Sequence, residues 1–267
     1  MSPAPAPGGA STDPTRNRLL AALAPDDLSR LHPHLEPVAL GKGEVPTEPG
    51  RPIAHVLFPA AGIVSMLAAA PDKRRRIEAG MIGREGMVGL PVVLGAGAEL
   101  HETLVQADMR GWRLPSDMLR RAMADSPSLH GVLLRYVQTF MAQTARTLLA
   151  STTHRMDARL ARWLLTTRDR LDGDDLPLTQ PFLSNMLGAN RPGITLAVRG
   201  LEAGGLIRHA RGRITVLDRA GLEVAAGGSY GAPEAEYARL SARRAEPSSG
   251  GAAAYTGGTT NRPACGC

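Results

Sequence analysis

The chain has 267 residues, of which 43% are hydrophobic and 3% aromatic, and arginine carries nearly all of the positive charge behind its net +6. This composition excludes wholesale disorder, and the scarcity of aromatic rings argues against single-stranded nucleic acid bound by base stacking. Its two cysteines, Cys265 and Cys267, cannot form a disulfide framework or a cysteine-bound metal core. With no apolar run of about 18 residues, we expect a cytoplasmic protein without a membrane partner.

The N-terminal part of the chain predicts a small all-β unit behind a few short helices. Residues 1–14 are rich in Pro, Ala, Gly and Ser and predict a disordered arm, and residues 224–267 predict a disordered tail. Short helices are expected over residues 16–23 and after Pro25. From residue 36 to 113, Pro and Gly recur every few residues between short apolar runs, which predicts many short strands in a small barrel or sandwich.

A long helix is predicted over residues 126–153, because apolar residues recur there at helical spacing without Gly or Pro after Gly131. The apolar stripe is wider than packing on one neighbour requires. We therefore predict a second face that forms a dimer, carried by Leu133, Tyr136, Val137, Phe140 and Leu148. An ordinary helix buried in its own domain remains the alternative. A further amphipathic helix is predicted over residues 151–169.

Residues 176–217 predict two helices about a tight turn, followed by a hairpin. Thr179 is a plausible N-cap of the first helix, residues 188–190 form the turn, and Asn190 caps the second helix. At about 100° per residue, the second helix has one apolar face made by Ile194, Ala197, Val198 and Leu201. The opposite face carries Arg191, Pro192, Thr195, Leu196 and Arg199.

These elements together predict a DNA-binding unit. Arg191 stands where a recognition helix meets base edges and its guanidinium fits guanine, whereas Arg199 is better placed for a phosphate. Arg211 and Arg213 lie at the tip of the hairpin, where a basic wing can touch the flanking backbone. Residues 155–219 hold eleven arginines and seven carboxylates, a net charge of +4. The predicted DNA-binding residues are Thr179, Asn190, Arg191, Thr195, Arg199, Arg211 and Arg213.

A glycine turn between two helices, or a charged helix face, also occurs in ordinary helical hairpins with a solvated face. The order and spacing of helix, turn, helix and basic hairpin are more specific for DNA binding. Residues 178–223 resemble the winged helix-turn-helix of the Crp–Fnr family of bacterial transcription regulators, and residues 48–66, 80–96, 133–138 and 158–165 match further motifs. The resemblance implies an α+β fold: a cyclic-nucleotide-binding-like β-roll at 15–125, a dimerisation helix at 126–153 and a winged helix-turn-helix at 154–223. It also implies a cytoplasmic homodimer that reads palindromic double-stranded DNA, with RNA polymerase as a further partner.

The sequence departs from the family at the effector site. Cyclic-AMP-binding members carry a Gly-Glu pair and then an Arg-Ser/Thr pair; here residues 83–86 resemble the first element, but residues 101–103 read His-Glu-Thr. Arg84, Glu85 and His101 are therefore candidates for an effector pocket, and Glu102 argues against cyclic AMP. The absence of N-terminal cysteines argues against an iron–sulfur cluster, and His32, His34 and His55 are expected to be solvated rather than haem ligands.

The recognition helix departs as well, because only Arg191 matches the family's Arg-Glu…Arg pattern, and Pro192 and Leu196 occupy the other positions. The usual half-site therefore does not transfer. No nucleophile–base pair, phosphate loop or metal-ligand spacing is present, so we expect neither an enzyme nor a metal protein. The alternative to a signal-responsive regulator is an effector-independent architectural or constitutive DNA-binding protein with a degenerate sensor domain.

Overall fold

A computed structural model describes residues 13–69, 76–231 and 235. The predicted arm, up to residue 12, and most of the predicted tail lie outside these residues. The α+β architecture expected from the sequence is confirmed, with an N-terminal sheet, a long helix and a C-terminal helix-turn-helix in chain order. No helix of the described residues is long and apolar enough to cross a membrane.

The N-terminal unit is a four-stranded antiparallel sheet with the strand order β1-β4-β2-β3. Its strands are β1 (Glu36–Leu40), β2 (His55–Ala69), β3 (Arg76–Ile82) and β4 (Glu102–Pro115). Four helices accompany the sheet: α1 (Arg18–Ala21), α2 (Pro25–Leu31), α3 (Leu90–Val93) and α4 (Ser116–Asp125). Their apolar side chains, together with Val56, Phe58 and Leu114 of the sheet, form one buried cluster.

Two of the strands are much longer than the short strands predicted from the Pro and Gly spacing. β2 has 15 residues and β4 has 14, because the residues taken as strand breaks are accommodated inside the pairing. The register of β2 against β4 shifts at three places between Pro59 and Val64. Gly62, with φ 85°, occupies this irregular stretch, and a Cβ there would lie 2.2 Å from the carbonyl oxygen of Asp108. Such bulges bend a strand without ending it.

The long helix α5 (Pro127–Thr153) packs against β3. Ser126 caps its N-terminus, since the Ser126 hydroxyl accepts from the Leu129 N–H at 3.3 Å and donates to Asp27 at 2.5 Å. In the middle of the helix the Gln143 amide bonds both backbone groups of Met81, at 2.6 Å and 3.2 Å. The Phe140 ring lies over Gly80, where a Cβ would come within 2.7 Å of it. The helix is therefore fixed along one face to its own sheet.

This packing corrects the predicted dimer residues. Leu133, Tyr136, Val137 and Phe140 are at most 6% exposed and belong to the apolar clusters of their own chain. They are not available to a partner, and for this face the alternative of an ordinary buried helix was right. Of the five predicted residues only Leu148 is exposed, at 66%.

The C-terminal unit begins with α6 (Met156–Arg168) and contains a three-stranded sheet of order β5-β7-β6. Its strands are β5 (Asp175–Leu176), β6 (Ile207–Ala210) and β7 (Arg213–Val216). Its other helices are α7 (Gln180–Met186), α8 (Arg191–Ala203) and α9 (Arg219–Ala225). We call β6, β7 and their connecting turn at residues 211–212 the wing.

The first residues of the predicted tail are ordered, which corrects its expected start at residue 224. Helix α9 continues to Ala225, and Ala226 is fully buried in the core of the C-terminal unit. The Tyr230 hydroxyl donates a hydrogen bond to Asp169, and this carboxylate also accepts one from Arg219 at 2.7 Å. The segment that closes α9 is therefore part of the folded unit, because it supplies a buried residue and a hydrogen bond to α6.

The two units share one apolar core. Ile63, Leu67, Met81 and Ala107 of the N-terminal sheet belong to the same buried cluster as the inner faces of α6, α7 and α8. A buried hydrogen bond crosses the same boundary, since the Trp163 indole N–H donates to Glu78 Oε1 at 2.9 Å. The C-terminal unit is therefore packed on the sheet and not held by a linker alone.

Candidate nucleic-acid interface

Helices α7 and α8 meet at a turn that favours glycine. Thr179 caps α7 as predicted, its hydroxyl accepting from the Phe182 N–H at 3.4 Å, and Leu183 and Met186 are buried. Gly188 follows with φ 59°, in the left-handed region, and a Cβ there would lie 3.0 Å from the Ile77 side chain. A larger residue would meet both backbone strain and a contact with the N-terminal sheet.

Helix α8 presents the two faces predicted from its sequence. Asn190 caps it, its Oδ1 accepting from the Gly193 N–H at 2.8 Å. The inner face is at most 5% exposed and comprises Ile194, Ala197, Val198 and Leu201. The outer face is solvent-exposed and comprises Arg191, Pro192, Leu196 and Arg199. This outer face is the surface that a recognition helix offers to a major groove.

Thr195 holds the two helices together, unlike the other predicted DNA-binding residues of α8. Its hydroxyl lies 2.9 Å from Gln180 Oε1 at the start of α7 and 3.0 Å from the carbonyl oxygen of Arg191. A hydroxyl has a single proton to donate, so the donor of Thr195 is engaged inside the motif. Gln180 was missed by the sequence analysis, because nothing local marks a partner that lies 15 residues away.

The two predicted arginines of the wing differ in how far their charge is balanced by carboxylates of the same chain. Gly212 has φ 75° and makes the tight turn beside Arg211 at the tip. Arg213 pairs with Asp175 of β5 at 3.3 Å, and the Thr215 hydroxyl donates to the same carboxylate at 2.6 Å. The charge of Arg213 is thus partly balanced within the sheet, and Arg211 is the less compensated of the two predicted wing residues.

Four arginines of α8 and the wing have no ion-pair partner among the residues that the structure describes: Arg191, Arg199, Arg208 and Arg211. Glu202, the carboxylate of α8, accepts from the His209 N–H at 2.8 Å and so is directed at the backbone of β6. Arg208 was not selected from the sequence. It is exposed, and its register opposite Thr215 places it on the outward face of the wing. Unpaired guanidinium groups are what phosphate contacts require.

The predicted effector residues are engaged in other contacts. The Arg84 guanidinium donates to Asp172 at 2.7 Å and to the Arg170 carbonyl oxygen at 3.2 Å. The hydrogen bond from Arg84 to Asp172 holds the pKa of that carboxyl below its usual range. Glu85 accepts from Arg170 at 2.7 Å, where the arginine side chain is almost buried. Both therefore join the sheet unit to the segment that follows α6, and their role in an effector pocket stays a prediction.

The remaining effector candidate, His101, has a different neighbour. His101 is 3.8 Å from Glu99, and the neighbouring Glu102 pairs with Arg76 at 2.8 Å. Glu102 is thus an anion already balanced by an arginine of β3. Within the described ranges no group of three His, Cys, Asp or Glu side chains could hold a metal ion, and Cys265 and Cys267 lie outside those ranges.

Comparison with known proteins agrees with this geometry. Residues 158–225, from α6 to the end of α9, match the Crp-like helix-turn-helix domain. The chain is also 24% identical over 200 residues to the CRP-like cAMP-activated global transcriptional regulator of Mycobacterium tuberculosis, a match that covers 72% of this chain and 89% of that protein. Residues 158–225 are therefore a Crp-like helix-turn-helix domain, and the chain resembles CRP-like transcriptional regulators over most of its length.

Solved structures of Crp–Fnr regulators share the fold. A CRP-family transcriptional regulator from Thermus thermophilus superposes with a TM-score of 0.61 at 21% identity, over 73% of this chain and 99% of its own. FixK2 from Bradyrhizobium japonicum gives a TM-score of 0.63 at 16% identity, over 72% and 96% of the two chains. Both matches extend well beyond the helix-turn-helix, so the sheet and long helix described above also belong to the shared fold.

Proposed function

We propose that this chain is a Crp–Fnr regulator that reads a palindromic DNA site as a homodimer and controls transcription in response to a signal. The observation that carries the proposal is the outer face of α8. It is exposed along its length and bears Arg191 and Arg199, which have no carboxylate partner in the described part of the chain, on a helix capped by Asn190 and packed on α6. Arg191, at the helix N-terminus, reads a guanine, and Arg199 and Arg211 contact phosphates.

A second exposed face of α5 supports the homodimer. The residues at 134, 138, 141, 145, 148 and 152 are all exposed and follow each other at alternating spacings of four and three. We call this row the seam: Leu134, Gln138, Met141, Ala145, Leu148 and Thr152. Its large apolar members are 42%, 61% and 66% exposed at Leu134, Met141 and Leu148. A heptad row of this kind on a helix already fixed to its own sheet favours a two-stranded coiled coil between two copies.

A two-fold seam on α5 fits the reading of a palindrome. The symmetry that pairs two copies of α5 also relates two copies of α8, so each reads one half of the site. Half-sites are then expected about one DNA turn apart, ~34 Å. The expected contact with RNA polymerase and action in the cytoplasm, where bacterial DNA lies, belong to the same proposal.

The test is selection of bound sequences from random duplex DNA, followed by single substitutions. Arg191→Ala should weaken binding to the selected site by about 1–3 kcal/mol and relax the preference at one base pair per half-site. Arg211→Ala should weaken selected and random duplexes alike and flatten the salt dependence of binding, since a phosphate contact carries no sequence information. Arg213→Ala should have the smaller effect of the two wing variants, because Asp175 already offsets its charge.

A selected consensus without two-fold symmetry would contradict the palindromic reading. If Arg191→Ala keeps the base preference of the parent protein, α8 is not the element that reads the bases. The comparison between Arg191→Ala and Arg211→Ala is internally controlled, since each variant removes one exposed arginine from the same unit.

One observation favours the second candidate, a constitutive DNA-binding protein without effector. Arg84 and Glu85, at the position that resembles the family's effector element, are joined to Asp172 and Arg170. An effector that used these side chains would have to displace two ion pairs that also connect the sheet to α6. That cost counts against a cyclic phosphate, although the Mycobacterium tuberculosis relative is named as cAMP-activated.

Thermal unfolding with added small molecules separates the two candidates. A ligand that binds the folded state raises the melting temperature in a saturable way. We expect no shift with cyclic AMP or cyclic GMP. A saturable shift with another metabolite supports the signal-responsive regulator, and a protein that selects its DNA site equally well with and without every compound tested supports the constitutive one.

A further inference from the structure

The outer face of α8 has an apolar centre that the arginine-based reading of DNA does not use. Leu196 is 74% exposed, one of the most exposed large apolar side chains among the described residues. Pro192 precedes it by four residues and Gly200 follows it by four, so the three positions form one row along the helix. A Cβ at Gly200 would have nothing within 4 Å, so the surface beside Leu196 is open.

By helical angle this row lies beside Arg199. Leu196 is about 60° from Arg199 and about 140° from Arg191, which stands about 1.4 turns before it. Nothing in the described part of the chain covers Leu196, whereas the four apolar residues of the inner face are at most 5% exposed. A leucine at the centre of a base-reading surface meets whatever apolar group the groove contains.

The major groove contains one such group, the 5-methyl of thymine, and apolar side chains contact it in sequence-specific complexes. We propose that Leu196 is a specificity residue that recognises a thymine through its 5-methyl group. Five residues of helix span about 7.5 Å, so this thymine lies about two base pairs from the guanine read by Arg191. The inference rests on the proposed function and adds an apolar reading position to it.

The decisive experiment changes only the methyl group. In the selected operator each thymine is replaced in turn by deoxyuridine, symmetrically in both half-sites, which keeps every hydrogen-bonding group of the base. Burial of one methyl group corresponds to about a fourfold change in affinity, so at one thymine position uracil should weaken binding about fourfold per half-site. The other thymine positions should show little change.

Substitutions then assign that effect to the side chain. In Leu196→Ala the uracil penalty at this position should disappear, while Leu196→Met, which keeps an apolar side chain of similar size, should retain it. Val224→Ala is the matched control, because Val224 is 82% exposed on α9 and lies outside the recognition face. It should leave both the affinity and the uracil penalty unchanged.

The outcomes separate this inference from the proposed function. A parent protein that selects no DNA sequence overturns both. A parent protein that selects a site but binds every uracil-substituted operator equally well overturns the role of Leu196 alone. The same holds if the penalty persists undiminished in Leu196→Ala, since the methyl group is then read by another side chain. Loss of folding is excluded if Leu196→Ala keeps the circular dichroism spectrum and the melting temperature of the parent protein, which we expect because Leu196 is exposed.

Discussion

Among single residues, Glu78 is the carboxylate most affected by folding. It lies on β3, fully enclosed between the two units, where Oε2 accepts from the Ser65 hydroxyl at 2.6 Å and Oε1 accepts from the Trp163 indole at 2.9 Å. Burial raises the pKa of Glu78 to about 7, against 4.5 for a free glutamate, and the hydrogen bonds and nearby Arg170 and Arg162 offset only part of the increase.

This raised pKa makes stability depend on pH in a definite direction. Between pH 4.5 and about 7 the folded state binds the Glu78 proton more tightly than the unfolded state, so the free energy of unfolding falls as pH rises through this window. Glu78→Gln keeps the shape without the charge. We expect the stability of Glu78→Gln relative to the parent protein to increase by about 3 kcal/mol from pH 4 to pH 8.

Urea unfolding of both proteins across this pH range measures the difference. Glu223→Gln serves as the control, because that carboxylate is exposed and its pairing with Arg219 is a local i,i+4 contact. If the free energy of unfolding of Glu78→Gln and of the parent protein depends on pH in the same way, the pKa of Glu78 is not raised by burial.

At the scale of elements, α5 carries two different surfaces on one helix. The inner surface contacts β3, and the seam at Leu134, Met141 and Leu148 is exposed. We expect the parent protein to sediment at twice 28.1 kDa. Met141→Glu and Leu148→Glu place a charge in the apolar seam and should each shift the protein toward the monomer mass, without loss of helical content, because neither residue supports the inner face.

Arg146→Glu is the matched control for these two variants. Arg146 is exposed on the same helix but lies about 120° from the centre of the seam, so reversal of its charge should leave the dimer intact. Sedimentation velocity at micromolar concentration measures the mass of the parent protein and of the three variants. If both seam variants remain dimers, the interface lies on another surface of the protein.

At the scale of the whole molecule, the shared core predicts cooperative unfolding. The two tryptophans, Trp112 and Trp163, report on different clusters, so Trp112→Phe leaves Trp163 as the only indole, at the boundary between the units. Leu67 and Met81 of the sheet belong to the cluster of Trp163. In Trp112→Phe the fluorescence midpoint in urea should therefore coincide with the circular dichroism midpoint, as in a two-state transition. Two separated midpoints would mean that the units unfold independently.

The sequence sufficed where the determining signals are local. The caps at Thr179 and Asn190, the glycine turn and the angular separation of the faces of α8 are all contained within about twenty-five residues, and the structure reproduces them. The width of the apolar stripe on α5 indicated two faces. It did not show which of them is buried, because that depends on how the helix packs against the N-terminal sheet. The partners of Arg84 and Glu85 lie 88 and 85 residues away, so no local pattern could show that these side chains were engaged.

Gly200 of α8 couples base recognition to the integrity of the core. A glycine weakens a helix interior by roughly 0.5–1 kcal/mol relative to alanine, so α8 depends on the burial of Ile194, Val198 and Leu201 for its shape. Arginines attract phosphates in any conformation, whereas reading a base edge needs a formed helix. Damage to the core of the C-terminal unit therefore erodes the discrimination between sequences first and the general attraction to DNA last, and a weakened regulator becomes indiscriminate before it becomes unable to bind.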